Sequence, residues 1–320
     1  MESERDMTTH RTISFLAFVL SALAFGVPYG WAAGPVVNTV VSQVSTSKWE
    51  VLQEPVYSDQ DDDWAKDPSV IKVGDTWYMY YTSANPWGGG KGPCRIDYAT
   101  SPDGLTWTWK GLSIPKGKPG EWDEERPQAP AKPILKDGVY YMYYAGKCAT
   151  KAVAIGYATS TDLIHWTKNP GNPVLSQGKC NDPFIFIENG VYYLFFTSGG
   201  DCINYVTSTN LVDWSKPMPT GAVGEGSIVI KDGPIYTLLG CIGFSGNGEF
   251  YRAYTTMNFT NGFVATGDRI NIKNPEFAKG TLSHGDIIRQ GDEYWFYFQA
   301  TRDGGKIFKV GLAKQPVPGK

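Results

Sequence analysis

Lys66-Asp67-Pro68-Ser69-Val70-Ile71-Lys72-Val73-Gly74-Asp75-Thr76-Trp77-Tyr78-Met79-Tyr80-Tyr81 decides how the rest of the chain is read. An apolar run enters a two-residue turn at Gly74-Asp75 and leaves as an aromatic run, the pattern of a β-hairpin. The pattern returns four times. Ala129 to Leu135 passes through Asp137-Gly138 into Tyr140 to Tyr144. Asn181 to Ile187 passes through Asn189-Gly190 into Tyr192 to Phe196. Gly224 to Ile230 passes through Asp232-Gly233 into Ile235 to Leu239, and Ser283 to Ile288 through Gly291-Asp292 into Tyr294 to Phe298.

Laid over one another without gaps, the copies align ionisable residues. A shift of 115 residues puts Asp182 on Asp67, one of 158 puts Glu225 there, and one of 217 puts His284 there. The remaining copy has Ala129-Pro130 at this place.

Each repeat runs on past its aromatic strand. Ile96 to Ser101, Ile155 to Ser160, Ile203 to Ser208 and Tyr251 to Thr256 read as third strands. Fourth strands are expected at Thr106 to Trp109, Leu163 to Trp166, Leu211 to Trp214 and around Phe259 to Phe263. The intervening Ser-Asp-Trp elements are expected to hold turns through side-chain hydrogen bonds, with the Trp packed between repeats. Four short strands recurring every 43 to 63 residues describe the blades of a β-propeller. The fifth repeat stops after Lys306 to Leu312, while Trp49 to Val56 is a spare strand before the first. That N-terminal strand is expected to complete the last blade and close the ring, which hides unpaired edges. The expected fold is therefore all-β: a five-bladed propeller with four antiparallel strands per blade, a single domain over residues 48–320.

Composition agrees. Aromatics make up 14% of the 320 residues, with 11 Trp and 19 Tyr, and helical periodicity is scarce. The formal charge is −3 and no Lys/Arg stripe occurs, so nucleic acid is excluded as a partner. Phe15 to Trp31 is apolar, short for a membrane span and followed by Ala32-Ala33-Gly34. Residues 1–33 read as a secretory signal peptide and 34–47 as a flexible arm, giving a secreted or periplasmic protein with no stable membrane association after cleavage. Export permits disulfides. Cys94 with Cys148 and Cys180 with Cys202 are conceivable pairs, although spacing cannot fix connectivity, and Cys241 would be left over. Asp61-Asp62-Asp63 reads as a solvated acidic turn.

First strands of a propeller line its central channel, so equivalent blade positions form a ring. Asp67, Asp182, Glu225 and His284 would then face one another. Each has a structural reading when taken alone, but three carboxylates across a channel raise one another's pKa and cost stability. Such clusters are expected where protons are moved.

With these residues the sequence resembles the five-bladed glycoside hydrolases, most closely family 43, the arabinanases, arabinofuranosidases and xylosidases. Asp67, Asp182 and Glu225 match the family's Asp of blade one, Asp of blade three and Glu of blade four. His284 matches its blade-five His, which often lies beside calcium or another ion. Gln128-Ala129-Pro130 lacks the Trp of the family's Trp-Ala-Pro motif. The resemblance implies inverting hydrolysis of pentose-containing poly- or oligosaccharides. Asp67 would be the general base, Glu225 the general acid and Asp182 the group that raises the pKa of Glu225 and orients it. His284 would hold water or an ion, with structural Ca2+ near the axis and no cofactor required for turnover. Trp64, Trp87 and Trp122 are either sugar platforms or packing. Glu125-Arg126 either contacts substrate hydroxyls or forms a surface ion pair, and Arg252 is open in the same way. The competing readings are a carbohydrate-binding propeller without turnover and a related hydrolase or phosphorylase acting on a galactoside, fructoside or mannoside.

Overall fold

The computed structural model describes residues 49–59, 64–83, 94–243, 250–270, 272, 275–278, 281–301 and 307–317. The signal-peptide and arm expectations, Asp61 to Asp63 and Trp87 lie outside the described residues. Among the described residues no helix is long and apolar enough to cross a membrane.

Five antiparallel sheets follow one another along the chain as the blades of a propeller. Blade one pairs Lys66–Val73, Thr76–Ser83, Arg95–Ser101 and Thr108–Ile114 in order. Blade three uses Asn181–Glu188, Val191–Thr197, Cys202–Ser208 and Met218–Val223; blade four uses Glu225–Asp232, Ile235–Ile242, Phe250–Thr256 and Val264–Ile270. Blade five comprises Thr281–Gln290, Glu293–Thr301 and Lys309–Pro316, with Glu50–Val51 as its outer strand. Glu50 pairs with Lys314, and Val56 N–H donates to the Val310 carbonyl at 2.9 Å. The N-terminal strand thus closes the ring as the sequence predicts.

The aromatic second strands are apolar on both faces because each face meets a different blade. Met79 packs with Trp295 and Tyr297 of blade five, whereas its neighbour Tyr80 packs with Met142 and Tyr144 of blade two. The alternation follows from the two-residue period of a strand. It repeats round the ring, so that five hydrophobic cores lie one between each pair of adjacent blades.

The Ser-Asp-Trp elements join neighbouring blades. Ser101 Oγ accepts from Asp103 N and Gly104 N, and Asp103 Oδ1 accepts from Leu105 N and Thr106 N. Ser160 with Asp162 and Ser208 with Asn210 repeat the network. Trp107, Trp166 and Trp214 then pack edge-on against Tyr297, Tyr80 and Tyr143 of the preceding blades. The same side-chain caps overturn the expected fourth strands. Residues up to each Trp spend their N–H groups on the Asp or Asn cap, and sheet pairing begins only after it: at Thr108, at Thr167 in blade two (Thr167–Lys168) and at Met218. In blade four Phe259–Asn261 is a 3-10 turn and the strand starts at Val264.

Blade two differs at its inner strand. The expected continuous strand from Ala129 is split into Arg126–Gln128 and Ile134–Lys136, both paired with Val139–Lys147, and Ala154–Ser160 follows. Pro130 and Pro133 offer no N–H to a ladder, which accounts for the gap. Cys94, Cys148, Cys180 and Cys202 are free thiols, so neither conceived disulfide is formed. Cys148 Sγ lies 3.9 Å from Thr150 Oγ1 and Cys202 Sγ 3.8 Å from the Gly200 carbonyl, each turned into its own loop. Burial pushes the Cys94 thiol up to about 11, which leaves it protonated and unreactive at neutral pH.

Candidate active site

The first strand of every blade reaches the hub. Asp67 to Ser69, Ala129 to Lys132, Asp182 to Phe184, Gly226 to Ser227 and His284 to Asp286 together line an axial cavity of about 40 Å³, room for a few waters. A bulge shapes the entries of blades one, three, four and five. Asp67, Ala129, Asp182 and His284 all have left-handed backbone, with φ of 51°, 48°, 50° and 27°. In blade four the residue in that conformation is Gly226, at φ 56°.

Cross-strand register gives the same answer and corrects the alignment. Lys66 faces Thr82, Asn181 faces Thr197, Ser283 faces Gln299 and Glu225 faces Cys241. Glu225 therefore occupies the position of Lys66, one residue before that of Asp67. Three ionisable residues share the ring position, and the glutamate reaches the site from one step earlier. Blade four needs glycine at the ring position because a Cβ on Gly226 would collide with the His284 imidazole. A Gly226→Ala variant is expected to lose at least about 1–2 kcal/mol from the left-handed backbone alone. Displacing His284 adds to that loss, read as a lower urea midpoint together with lower activity.

His284 sits between two carboxylates. Its Nδ1 is 3.0 Å from Asp67 Oδ1, and its Nε2 is 3.8 Å from Asp182 Oδ2. Thr82 Oγ donates to Asp67 Oδ2 at 2.7 Å and accepts from Ala129 N at 2.8 Å. Gln299 Oε1 accepts from Asp67 N, while Gln299 Nε2 donates to Ser283 Oγ. Thr197 Oγ donates to Asp182 Oδ2 at 3.1 Å. Beneath this layer Lys132 Nζ pairs with buried Asp286 at 2.9 Å, and Asp286 Oδ2 accepts from Val70 N, tying blades one, two and five.

Glu225 lies above the buried trio, with its side chain 16% exposed against 6% for Asp182. One atom each of Asp182, Glu225 and His284 fall within 4.8 Å of one another. Lys179 Nζ contacts Glu225 Oε1 at 2.7 Å and Asp201 Oδ1 at 3.0 Å.

These contacts set the charge states. Burial raises the carboxyl of Asp67, but Lys66, His284 and Thr82 outweigh it and hold the group well below the usual carboxylate range. Burial also raises Asp182; the His284 charge opposes this, Glu225 and Asp67 reinforce it, and the carboxyl ends at about 6. For His284 burial lowers the value, yet the two aspartates carry it up to about 9. At neutral pH the hub thus holds an ionised Asp67 against an imidazolium. Both His284 nitrogens face carboxylates, and the Lys179 ammonium lies against Glu225.

The other described residues singled out in the sequence are not among those lining the axial cavity. Trp64 is buried edge-on against Phe308 at 5.5 Å, with Lys66 Nζ 4.8 Å over its ring. Trp122 packs on Tyr144 at 5.2 Å. Glu125 is exposed and 3.6 Å from Lys147 Nζ. Arg126 is half-buried opposite Lys147, and Arg252 is in the third strand of blade four opposite Gly240. Thr82, Gln299 and Lys179 were not singled out. Thr82 and Thr197 stand 115 residues apart, and Thr82 and Gln299 stand 217 apart, the spacings of the ring residues, so the repeat carried this signal.

Residues 54–201 match the model of glycosyl hydrolases family 43. Among solved structures, the chain is similar to a glycoside hydrolase, with 15% identity, a TM-score of 0.70 and coverage of 84% of this chain and 92% of the other. It is similar to the catalytic domain of the Coprinopsis cinerea GH62 alpha-L-arabinofuranosidase, with 17% identity, a TM-score of 0.62 and coverage of 84% and 96%. It is also similar to the RS223 beta-xylosidase, with 16% identity, a TM-score of 0.65 and coverage of 82% and 95%. The relatives so found are five-bladed propeller glycoside hydrolases.

Proposed function

We propose that the protein is an exported glycoside hydrolase that cleaves pentose-containing poly- or oligosaccharides with inversion at the anomeric carbon. The observation that carries this reading is the meeting of Asp67, Asp182 and Glu225, from three blades, around His284. The family match over residues 54–201 supports the reaction class, and the arabinofuranosidase and xylosidase among the similar structures support the sugar class.

Each group has a task its surroundings favour. Asp67 remains ionised, with Thr82 and His284 fixing its oxygens, so it acts as the base that takes a proton from water. Glu225, the most open of the three carboxyls, protonates the leaving oxygen. Asp182, close to Glu225 and held by Thr197, presents the charge that Glu225 faces and orients it. His284 keeps the two aspartates apart in charge and in space. An inverting pair leaves room for water between base and acid, roughly 6.5–9.5 Å of separation.

A panel of chromogenic arabinofuranosides, xylosides, galactosides and fructosides tests the sugar class, with turnover expected on the first two. Proton NMR of the first-formed sugar is expected to show the inverted anomer; a retained anomer would exclude Asp67 as a base acting through water.

A further inference from the structure

Glu225 poses a problem for acid catalysis. A general acid must carry a proton when the bond breaks, yet the Lys179 ammonium lies 2.7 Å from this carboxyl. The surroundings of Lys179 resolve it. Asp201 Oδ1 lies 3.0 Å from the same Nζ, so Lys179 can leave Glu225 without losing an ionic partner. Asp201 is itself tied to the acid's strand, because its carbonyl accepts from Gly224 N at 2.7 Å, one residue before Glu225. On the other side Cys180 is buried and its N–H donates to the Val153 carbonyl at 2.8 Å, fixing the backbone next to Lys179. Besides Lys179, the charged groups facing Glu225 are Asp182 and His284. Both are buried and held by Thr197 and Asp67, whereas the Lys179 side chain is 34% exposed.

We propose that Lys179 is a positioning residue shared between Glu225 and Asp201, which holds the ionised acid in place and moves wholly onto Asp201 when Glu225 takes up the proton it delivers. This rests on the hydrolase reading, in which Glu225 is the acid. In the cycle, water attacks the anomeric carbon and its proton passes to Asp67. The glycosidic C–O bond breaks as the Glu225 proton goes to the departing oxygen, and Lys179 returns to the carboxylate so formed. Solvent then removes the proton on Asp67 and restores the one on Glu225.

The test compares wild type, Lys179→Met, Lys179→Arg and Asp201→Asn. Both positions are exposed enough for these changes to leave the fold intact. In the pH profile of kcat/KM, Lys179→Met is expected to move the alkaline limb up by about one pH unit. Asp201→Asn is expected to move it down, because Lys179 then has only Glu225 to pair with. Lys179→Arg should restore the wild-type profile. A readout without turnover is the carbon-13 signal of the Glu225 carboxyl, assigned by its loss in Glu225→Gln. Its titration should shift in the same directions. Carbon titrations that coincide in wild type and Lys179→Met overturn the proposal whatever the activity. A shifted titration in a protein whose turnover survives Glu225→Gln keeps the pairing and removes Glu225 as the acid.

Discussion

Replacing Glu225 by Gln is expected to lower kcat on an unactivated glycoside by about 10²–10⁴-fold, the usual worth of a positioned acid. The loss should depend on the leaving group. A nitrophenolate departs without a proton, so the chromogenic substrates should lose much less than a natural disaccharide, and the ratio of the two losses identifies the missing function as proton donation. Gln keeps the length of the side chain and an oxygen toward Lys179, so the ion pair becomes a hydrogen bond and the strand entry at Gly224-Glu225-Gly226 stays formed. Unfolding midpoints should therefore stay near the wild-type value. Equal losses on both substrates would instead indicate that Glu225 binds sugar without donating a proton.

How much of this site could be read from the sequence depends on which interactions repeat. Asp67 and Asp182 were legible because both the residue and its backbone conformation recur, and Thr82 and Thr197 recur with them. Asp tolerates the left-handed conformation that the bulge imposes, so the motif can be written without glycine. Glu225 was found but misplaced by one residue. Alignment by charge ignores backbone φ, and it was the glycine at 226, required by the approach of His284, that carried the true register. Lys179 was invisible for a different reason. It sits in the loop between the last strand of blade two and the first of blade three, and its partner Asp201 lies in a 3-10 turn after the second strand of blade three. Neither belongs to the repeated frame, so no comparison among blades points to them. The fourth strands were misjudged because Trp107, Trp166 and Trp214 resemble strand residues, while the caps ahead of them had already used the N–H groups that a ladder needs.

Removing the imidazole of His284 should strongly destabilise the fold. The ring is buried and contacts Asp67 at 3.0 Å on one side and Asp182 at 3.8 Å on the other. Taking one partner from a buried charge pair costs about 3–5 kcal/mol, since the remaining charge is neither solvated nor paired. His284→Asn is the informative substitution, because Asn tolerates the positive φ of 27° and the loss then reports charge rather than backbone strain. The wild type should show the same contact as a pH dependence. The folded value of His284, about 9, lies above its ordinary 6.5, so the folded state holds the proton more tightly. Its contribution is fully present below 6.5 and fades as pH rises through 9. Asp67 works in the opposite direction: its depressed carboxyl stabilises the fold above 3.8, and that stability fades as pH falls through the lower folded value. Asp182, raised to about 6, contributes below 3.8 and loses its contribution as pH rises through 6, before His284 begins to titrate. Among these three groups the decline from 6.5 to 9 therefore belongs to His284. In an Asp182→Asn background, which removes the other raised group, urea midpoints measured through that window should fall with His284 present and stay flat with His284→Asn. A parallel decline in both proteins would show that the hub histidine is neutral in the folded state.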